Sequence, residues 1–159
     1  MADGREWQVR AATETDIALL AEFRRRMFTE LDRSAERIDA MAAAFVPYAY
    51  ETMPRGELLG WIAEVDAAPV GCVAVVLQRN PPSVRNPRGT VGYILNLYVV
   101  PELRRRGVAR ALVETAVTTL RERGVGGVTL HASEQGRPLY EQAGFKPSSE
   151  MRLFFDENV

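Results

Sequence analysis

Ile17, Leu20, Phe23, Met27 and Leu31 recur at intervals of three and four residues, the spacing that lays an apolar stripe along one side of a helix. Thr13, followed three residues later by Asp16, resembles a capping box that opens this helix, with Asp in place of the usual Glu. Ser34 is placed to cap a second helix running toward Met53, which Pro47 is expected to break or kink. Trp7 to Arg10 reads as a short first strand. After a turn at Pro54, Arg55 and Gly56, the apolar runs Leu58 to Val65 and Val70 to Leu77 predict a hairpin closed around Asp66 to Pro69. Asn80 to Arg88, with Pro81, Pro82 and Pro87, is a loop of the kind that often borders a site.

From there strand and helix alternate. Val91 to Val100 is almost unbrokenly apolar, as a central strand covered on both faces should be. In the helix that follows, Val108, Leu112 and Ala116 form one stripe, with Ala109, Val113, Val117 and Leu120 beside it. Arg121 and Arg123 suit its last turn and Gly124 its end. Val128 to Ala132 reads as a strand, Pro138 to Ala143 as a short helix ending at Gly144, and Met151 to Phe155 as a final strand. Strands in succession followed by strand, helix and strand predict a single domain of the mixed α+β class.

Composition narrows the function. Apolar residues make up 47% and charged residues 26% of 159, ordinary values for one globular domain. The net charge of −1 lacks the basic excess of a phosphate-gripping protein, so nucleic acid is not the expected partner. The arginine run Arg24, Arg25 and Arg26 reads as a solvated helix face in preference to an anion site. The single cysteine, Cys72, excludes an intramolecular disulfide framework and a Cys-rich zinc site. The polar start, Met1 to Arg10, lacks the apolar stretch of a signal peptide, and no segment approaches the roughly 20 apolar residues of a membrane span. A cytoplasmic protein without membrane or metal partners is expected.

The chemistry concentrates in Leu97-Tyr98-Val99-Val100-Pro101-Glu102-Leu103-Arg104-Arg105-Arg106-Gly107-Val108-Ala109-Arg110. A buried strand runs into a short basic turn and then a helix that opens with small residues. The first N–H groups of a helix have no partners within it and, with the helix dipole, favour an anion. Gly107 and Ala109 let a bulky phosphate approach the backbone, and the arginines add charge-assisted hydrogen bonds. A pyrophosphate fits. Neither Gly-x-x-x-x-Gly-Lys-Ser/Thr nor Gly-x-Gly-x-x-Gly after a strand occurs, so P-loop hydrolysis and a dinucleotide fold are not indicated.

In this context the sequence resembles the GNAT superfamily of acetyltransferases. Leu97, Val99, Pro101, Glu102, Arg104, Gly107 and Ala109 match its strand, Pro-Glu turn and Arg/Gln-x-x-Gly-x-Gly/Ala signature. Leu139-Tyr140-Glu141-Gln142-Ala143-Gly144-Phe145 is similar to its downstream Tyr-Glu-x-x-Gly-Phe segment. The resemblance covers about Leu58 to Phe155 and implies a mostly antiparallel sheet of six to seven strands. A parallel splayed pair would lie in its middle, with about four helices around it.

It also implies acetyl-CoA as cosubstrate and a primary amine of a small molecule or peptide as acceptor, acetylated by direct attack in a ternary complex. A protein acetyltransferase acting on lysines or an N-terminus, and a catalytically silent acyl-CoA sensor, are the other readings. Relatives often dimerise, and longer acyl donors remain open. Carried over, the backbone of Leu97, Tyr98 and Val99 in a bulged strand would hold pantetheine and the acetyl carbonyl. Arg104 to Arg110 (Arg105, Arg106, Gly107, Val108 and Ala109 between them) would cradle the pyrophosphate, mostly through the amides of Arg105 to Ala109. Ser133 stands where many relatives have a pantetheine-contacting Asn, and either that contact or a turn cap suits it. Tyr140 is the expected catalytic residue, a phenol placed to protonate the departing thiolate.

The base is open. The strand Tyr93 to Tyr98 has no carboxylate where many relatives carry a Glu, and Asn96 could only orient water or substrate. His131, Glu134 and Glu64 are the candidates. Cys72, among Val70, Gly71, Val73 and Ala74, has nothing to activate it and reads as core.

Overall fold

Apolar runs of period two and stripes of period 3.6 become one sheet with helices on both faces. The computed structural model describes residues 7–31 and 34–155. Along the chain lie β1 (Gln8–Ala11), α1 (Ile17–Glu30), α2 (Ala35–Thr52), β2 (Leu58–Val65) and β3 (Ala68–Arg79). They are followed by β4 (Thr90–Val99), α3 (Val108–Glu122), β5 (Gly127–Leu130) and α4 (Arg137–Gln142). The strands form a sheet in the order β1-β2-β3-β4-β5, antiparallel up to β4 and parallel between β4 and β5. The parallel pair is the one joined through a helix, as a crossover requires.

Two apolar layers flank the sheet. On one face α3 buries Val108, Leu112, Val113, Ala116 and Leu120 against Trp61, Val73, Val75 and Ile94. On the other, Ile17, Leu20 and Phe23 of α1 and Phe45 and Ala49 of α2 pack on Leu58, Ile62, Cys72 and Tyr98. The hairpin closes tightly, with left-handed φ at Asp66 and Ala67 (49° and 64°), the geometry of a two-residue turn that matches strand twist. Gly124 ends α3 with φ 76°, and the Val125 amide reaches back to the Leu120 carbonyl at 3.0 Å.

The chain enters α1 through a charge cluster. The buried Asp16 carboxylate accepts the Thr13 amide at 2.8 Å, the capping-box contact expected from the sequence. It also accepts both terminal nitrogens of Arg10 at 2.8 Å. The hydrogen bond from Arg10 holds its carboxyl below the ordinary value, against the opposing effect of burial. Asp16→Ala strands the Thr13 amide and Arg10, and we expect it to cost about 1–3 kcal/mol, read as a lower urea midpoint at neutral pH. Because the folded-state pKa is depressed, this contribution is present above the unfolded value of 3.8 and fades as pH falls through the lower folded value. An unchanged midpoint in the variant would remove Asp16 from the account.

Several expectations need correction. Five strands are present among the described residues, not six to seven. Met151–Phe155 pairs with no strand among them. Its β-forming residues join neither edge of the sheet, and Met151, Leu153, Phe154 and Phe155 are exposed. Pro47 does not end α2, which runs through it. Both Pro47 and Ala43, whose carbonyl loses its partner, are exposed, so that carbonyl is left open to solvent. The loop from Asn80 to Arg88 is fastened by Arg88, which donates to the Gly124 carbonyl at 2.7 Å beyond the end of α3. It sits where β4 begins. The polar start is only partly covered, since residues 1–6 lie outside the described residues.

Candidate active site

β4 carries the irregularities on which the site depends. Cys72 faces Tyr98 but Ala74 faces Leu95, so Asn96 and Leu97 together stand against Val73. This is a β-bulge, and Asn96 takes φ 62° in it, a conformation Asn tolerates better than most residues. The bulge residue is buried: its side-chain amide donates to the Leu20 carbonyl at 3.1 Å, and its backbone carbonyl accepts the Cys72 thiol at 3.2 Å. On the other side, the ladder with β5 ends at Ile94 and Leu130 although β4 continues to Val99. Among the described residues, that edge of β4 has no strand beside it from Leu95 to Val99, which leaves a slot lined by backbone.

The slot leads to the start of α3. Arg105 (φ 63°) and Gly107 (φ 89°) turn the chain sharply into the helix. Among the described residues, the amides of Arg105, Gly107, Val108, Ala109 and Arg110 donate to no other group; the regular ladder begins with Ala111 to Gly107 at 3.0 Å. Such convergent amides at a helix start form an anion site. A side chain on Gly107 would meet only the Trp7 ring at 3.9 Å, so glycine is there for its positive φ.

The arginines divide by task. Arg104 points away from the amides: its Nε donates to the Val99 carbonyl at 2.8 Å, and its Nη2 to both Glu30 oxygens at 2.7 and 2.9 Å. Its guanidinium also covers the Tyr98 ring at 5.4 Å. It ties the turn to β4 and α1, so its side chain is committed before any phosphate arrives. Arg110 pairs with Glu114 along α3 at 3.1 Å. Arg105 and Arg106 are exposed at the mouth of the turn.

Tyr140 is half-buried on α4, edge-on to Phe145 with ring centroids 5.9 Å apart. It packs into the same apolar cluster as Leu97, Val100 and Leu130. Burial alone pushes its phenol above its ordinary value, so it holds its proton at neutral pH. Ser133 realises the cap: its hydroxyl accepts the Gly136 amide at 3.1 Å and its carbonyl the Arg137 amide at 3.0 Å. The hydroxyl proton stays available to a ligand.

The base candidates separate clearly. Glu64 is spoken for by Arg10 at 2.8 Å on β2, with β3 between it and the slot. His131 lies just past β5, exposed, and Glu134 is exposed in the next turn. Cys72 is fully buried and burial drives its thiol pKa upward, as a core residue requires.

Sequence reasoning overlooked Arg24. Only Arg25 and Arg26 are exposed, while Arg24 is half-buried and extends toward Asn96. Leu20, Arg24 and Phe28 are four residues apart, which puts Arg24 within the buried stripe; that spacing was the available signal. A shallow groove of about 350 Å³ beside Glu22, Arg25, Arg26 and Tyr98 contains neither the unpaired amides nor Tyr140.

Comparison with known proteins agrees with this geometry. The Acetyltransferase (GNAT) family pattern matches residues 18–145. The uncharacterised N-acetyltransferase YafP of Escherichia coli strain K12 is 30% identical over 93 residues, 58% of this chain and 49% of that protein. Mycothiol acetyltransferase of Beutenbergia cavernae is 41% identical over 64 residues, 38% of this chain and 22% of that protein. The chain thus spans less than half the length of these curated relatives. A crystal structure of a GCN5-related N-acetyltransferase from Ralstonia eutropha JMP134 superposes with TM-score 0.88 at 34% identity, covering 94% of this chain and 98% of that one. A predicted acetyltransferase from Clostridium acetobutylicum, solved with acetyl-CoA, gives TM-score 0.85 at 29% identity, covering 93% and 95%. With its bulged and splayed strand, its open helix start and these matches, the chain belongs to the acetyltransferase (GNAT) family.

Proposed function

We propose that this chain is an N-acetyltransferase that moves the acetyl group of acetyl-CoA to a primary amine of a small molecule or peptide, by direct attack with both substrates bound. The observation that carries the reading is the set of unpaired amides at Arg105 and Gly107 to Arg110, standing where the edge of β4 loses its neighbour. A diphosphate fits these amides by charge and by the small residues Gly107 and Ala109, and the extended pantetheine arm fits the uncovered edge. Leu97, Tyr98 and Val99 are the backbone that would hold that arm and the carbonyl. Ser133 is a further donor at the rim.

When bound, acetyl-CoA supplies an acyl thioester, already activated toward amines. The protein's own contribution is position and a proton. Fixing donor and acceptor against one rigid strand replaces a bimolecular encounter. Backbone amides near the bulge polarise the carbonyl oxygen without reorganising. Tyr140, neutral and half-buried, holds the proton that the departing sulfur needs. The acceptor amine loses its own proton to water or to His131 or Glu134 at the solvent side, since β4 between Tyr93 and Tyr98 bears no carboxylate. The buried Cys72, with its raised pKa, supports direct transfer over an acetyl-cysteine route.

Following CoA release with acetyl-CoA and a panel of amines tests the reading. Turnover on at least one primary amine is expected. Binding of acetyl-CoA with no turnover on any small-molecule, peptide or protein amine would replace the enzyme with a sensor.

A further inference from the structure

Among the described residues, Arg24 is a cation with no carboxylate partner. Its neighbours on α1 are neutralised: Arg25 by Asp39 at 2.9 Å and Arg26 by Glu22 at 2.9 Å. Arg24, the most buried of the three, has only weak or neutral contacts among the described residues. Nε meets the Met41 sulfur at 3.0 Å and Nη1 the Asn96 Oδ1 at 3.3 Å, and Nη2 has no partner. The rings of Phe28 and Phe45 lie 5.1 and 5.6 Å from the guanidinium. Rings soften a buried charge but do not cancel it. Arginine cannot shed its proton at these values of pH, and burial works against its charge. A half-buried guanidinium with a free end is a site prepared for an anion.

Its position says which anion. Asn96, which it touches, is the bulge residue, one step from the Leu97 backbone proposed to hold the acetyl carbonyl. The charge therefore lies on the α1 and α2 face of β4, beside the acyl site and away from the pyrophosphate turn, which has its own donors. Tyr93 on the same strand has its hydroxyl 3.5 Å from Arg152, but that arginine is already paired with Glu150 at 3.2 Å. Tyr48 on α2, which also interacts with Arg24, is exposed on the same side. The guanidinium's planar donors can meet a carboxylate or a phosphate, but its single positive charge balances a carboxylate monoanion and leaves a dianionic phosphate half uncompensated.

We propose that Arg24 binds a carboxylate on the acceptor, so that the preferred amine is one carrying a carboxylate near its amino group. This rests on the transferase reading above, and it makes Arg24 a specificity residue. The test is calorimetric titration of the CoA-loaded protein with matched pairs, phenylalanine against phenethylamine, tryptophan against tryptamine and β-alanine against ethylamine, together with phosphoethanolamine. In at least one pair the carboxylate member is expected to bind tenfold or more tightly than its twin. Arg24→Gln should erase that preference while CoA affinity is unchanged, and Arg24→Lys should keep part of it. Arg24→Met, which retains the apolar stem, serves if the Gln variant fails to fold. Equal binding of the twins, no binding of either member in every pair, a preference surviving Arg24→Gln or Arg24→Met, or tighter binding of phosphoethanolamine would each overturn the assignment. A carboxylate preference lost with Arg24 but without CoA release from acetyl-CoA would uphold it and sink the transferase reading instead.

Discussion

Gly107→Asp is expected to weaken coenzyme A binding at least a hundredfold while leaving the protein folded. Three effects combine. Gly107 caps α3 with φ 89°, and Asp is among the few residues that enter the left-handed region at modest cost. Asp is also a strong N-cap, and its charge suits the helix start, so α3 should persist. The same carboxylate then sits over the free amides of Val108 to Arg110, where it occupies the anion site and repels a diphosphate. A hundredfold change corresponds to about 2.8 kcal/mol, within reach of one misplaced charge at short range. Pantetheine, which lacks the diphosphate, should bind variant and parent alike. If the variant melts cooperatively and binds coenzyme A within threefold of the parent, these amides are not where the diphosphate rests.

Tyr140→Phe should lower kcat by roughly 10²–10⁴ with acetyl-CoA affinity and thermal stability nearly unchanged. The substitution removes one oxygen and keeps the ring, so the edge contact with Phe145 at 5.9 Å survives. The loss therefore reports on the proton. The sign of the pH dependence follows from burial. Since the phenol is raised above its ordinary value of 10.0, the acid form persists through neutral pH and activity falls only as pH rises past that raised value. In Tyr140→Phe this alkaline limb should vanish from the kcat profile. A kcat within threefold of the parent, or an alkaline limb that persists in the variant, would leave Tyr140 as a packing residue.

The sequence made the second half of the chain far more legible than the first. The stripe Val108, Leu112 and Ala116 left no alternative to an amphipathic helix, and the small residues at its start showed where its amides would be bare. Glycines at 107, 124 and 144 marked ends that the backbone does take with positive φ. Features set by pairing between strands came only through the family resemblance, which implied a bulge and a splay that no residue pattern in the chain announced. The bulge at Asn96 arises from register against β3, and no local residue pattern announces register. The splay arises because β5 stops at Leu130, two residues short of the expected end. Met151 to Phe155 has the residue types of a strand but pairs with none among the described residues, since propensity reports on fit to a neighbour more than on the backbone itself. Arg24 was hidden within a run of three arginines whose other members are solvated, because charge type alone does not say which side of a helix a residue occupies.

Calorimetric titration of the unmodified protein with coenzyme A tests the central claim most directly. The account predicts a single saturable site in the folded protein, with pantetheine binding far more weakly because the bare amides of α3 then have no anion to hold. No measurable heat with coenzyme A, or equal affinity for pantetheine, would contradict it.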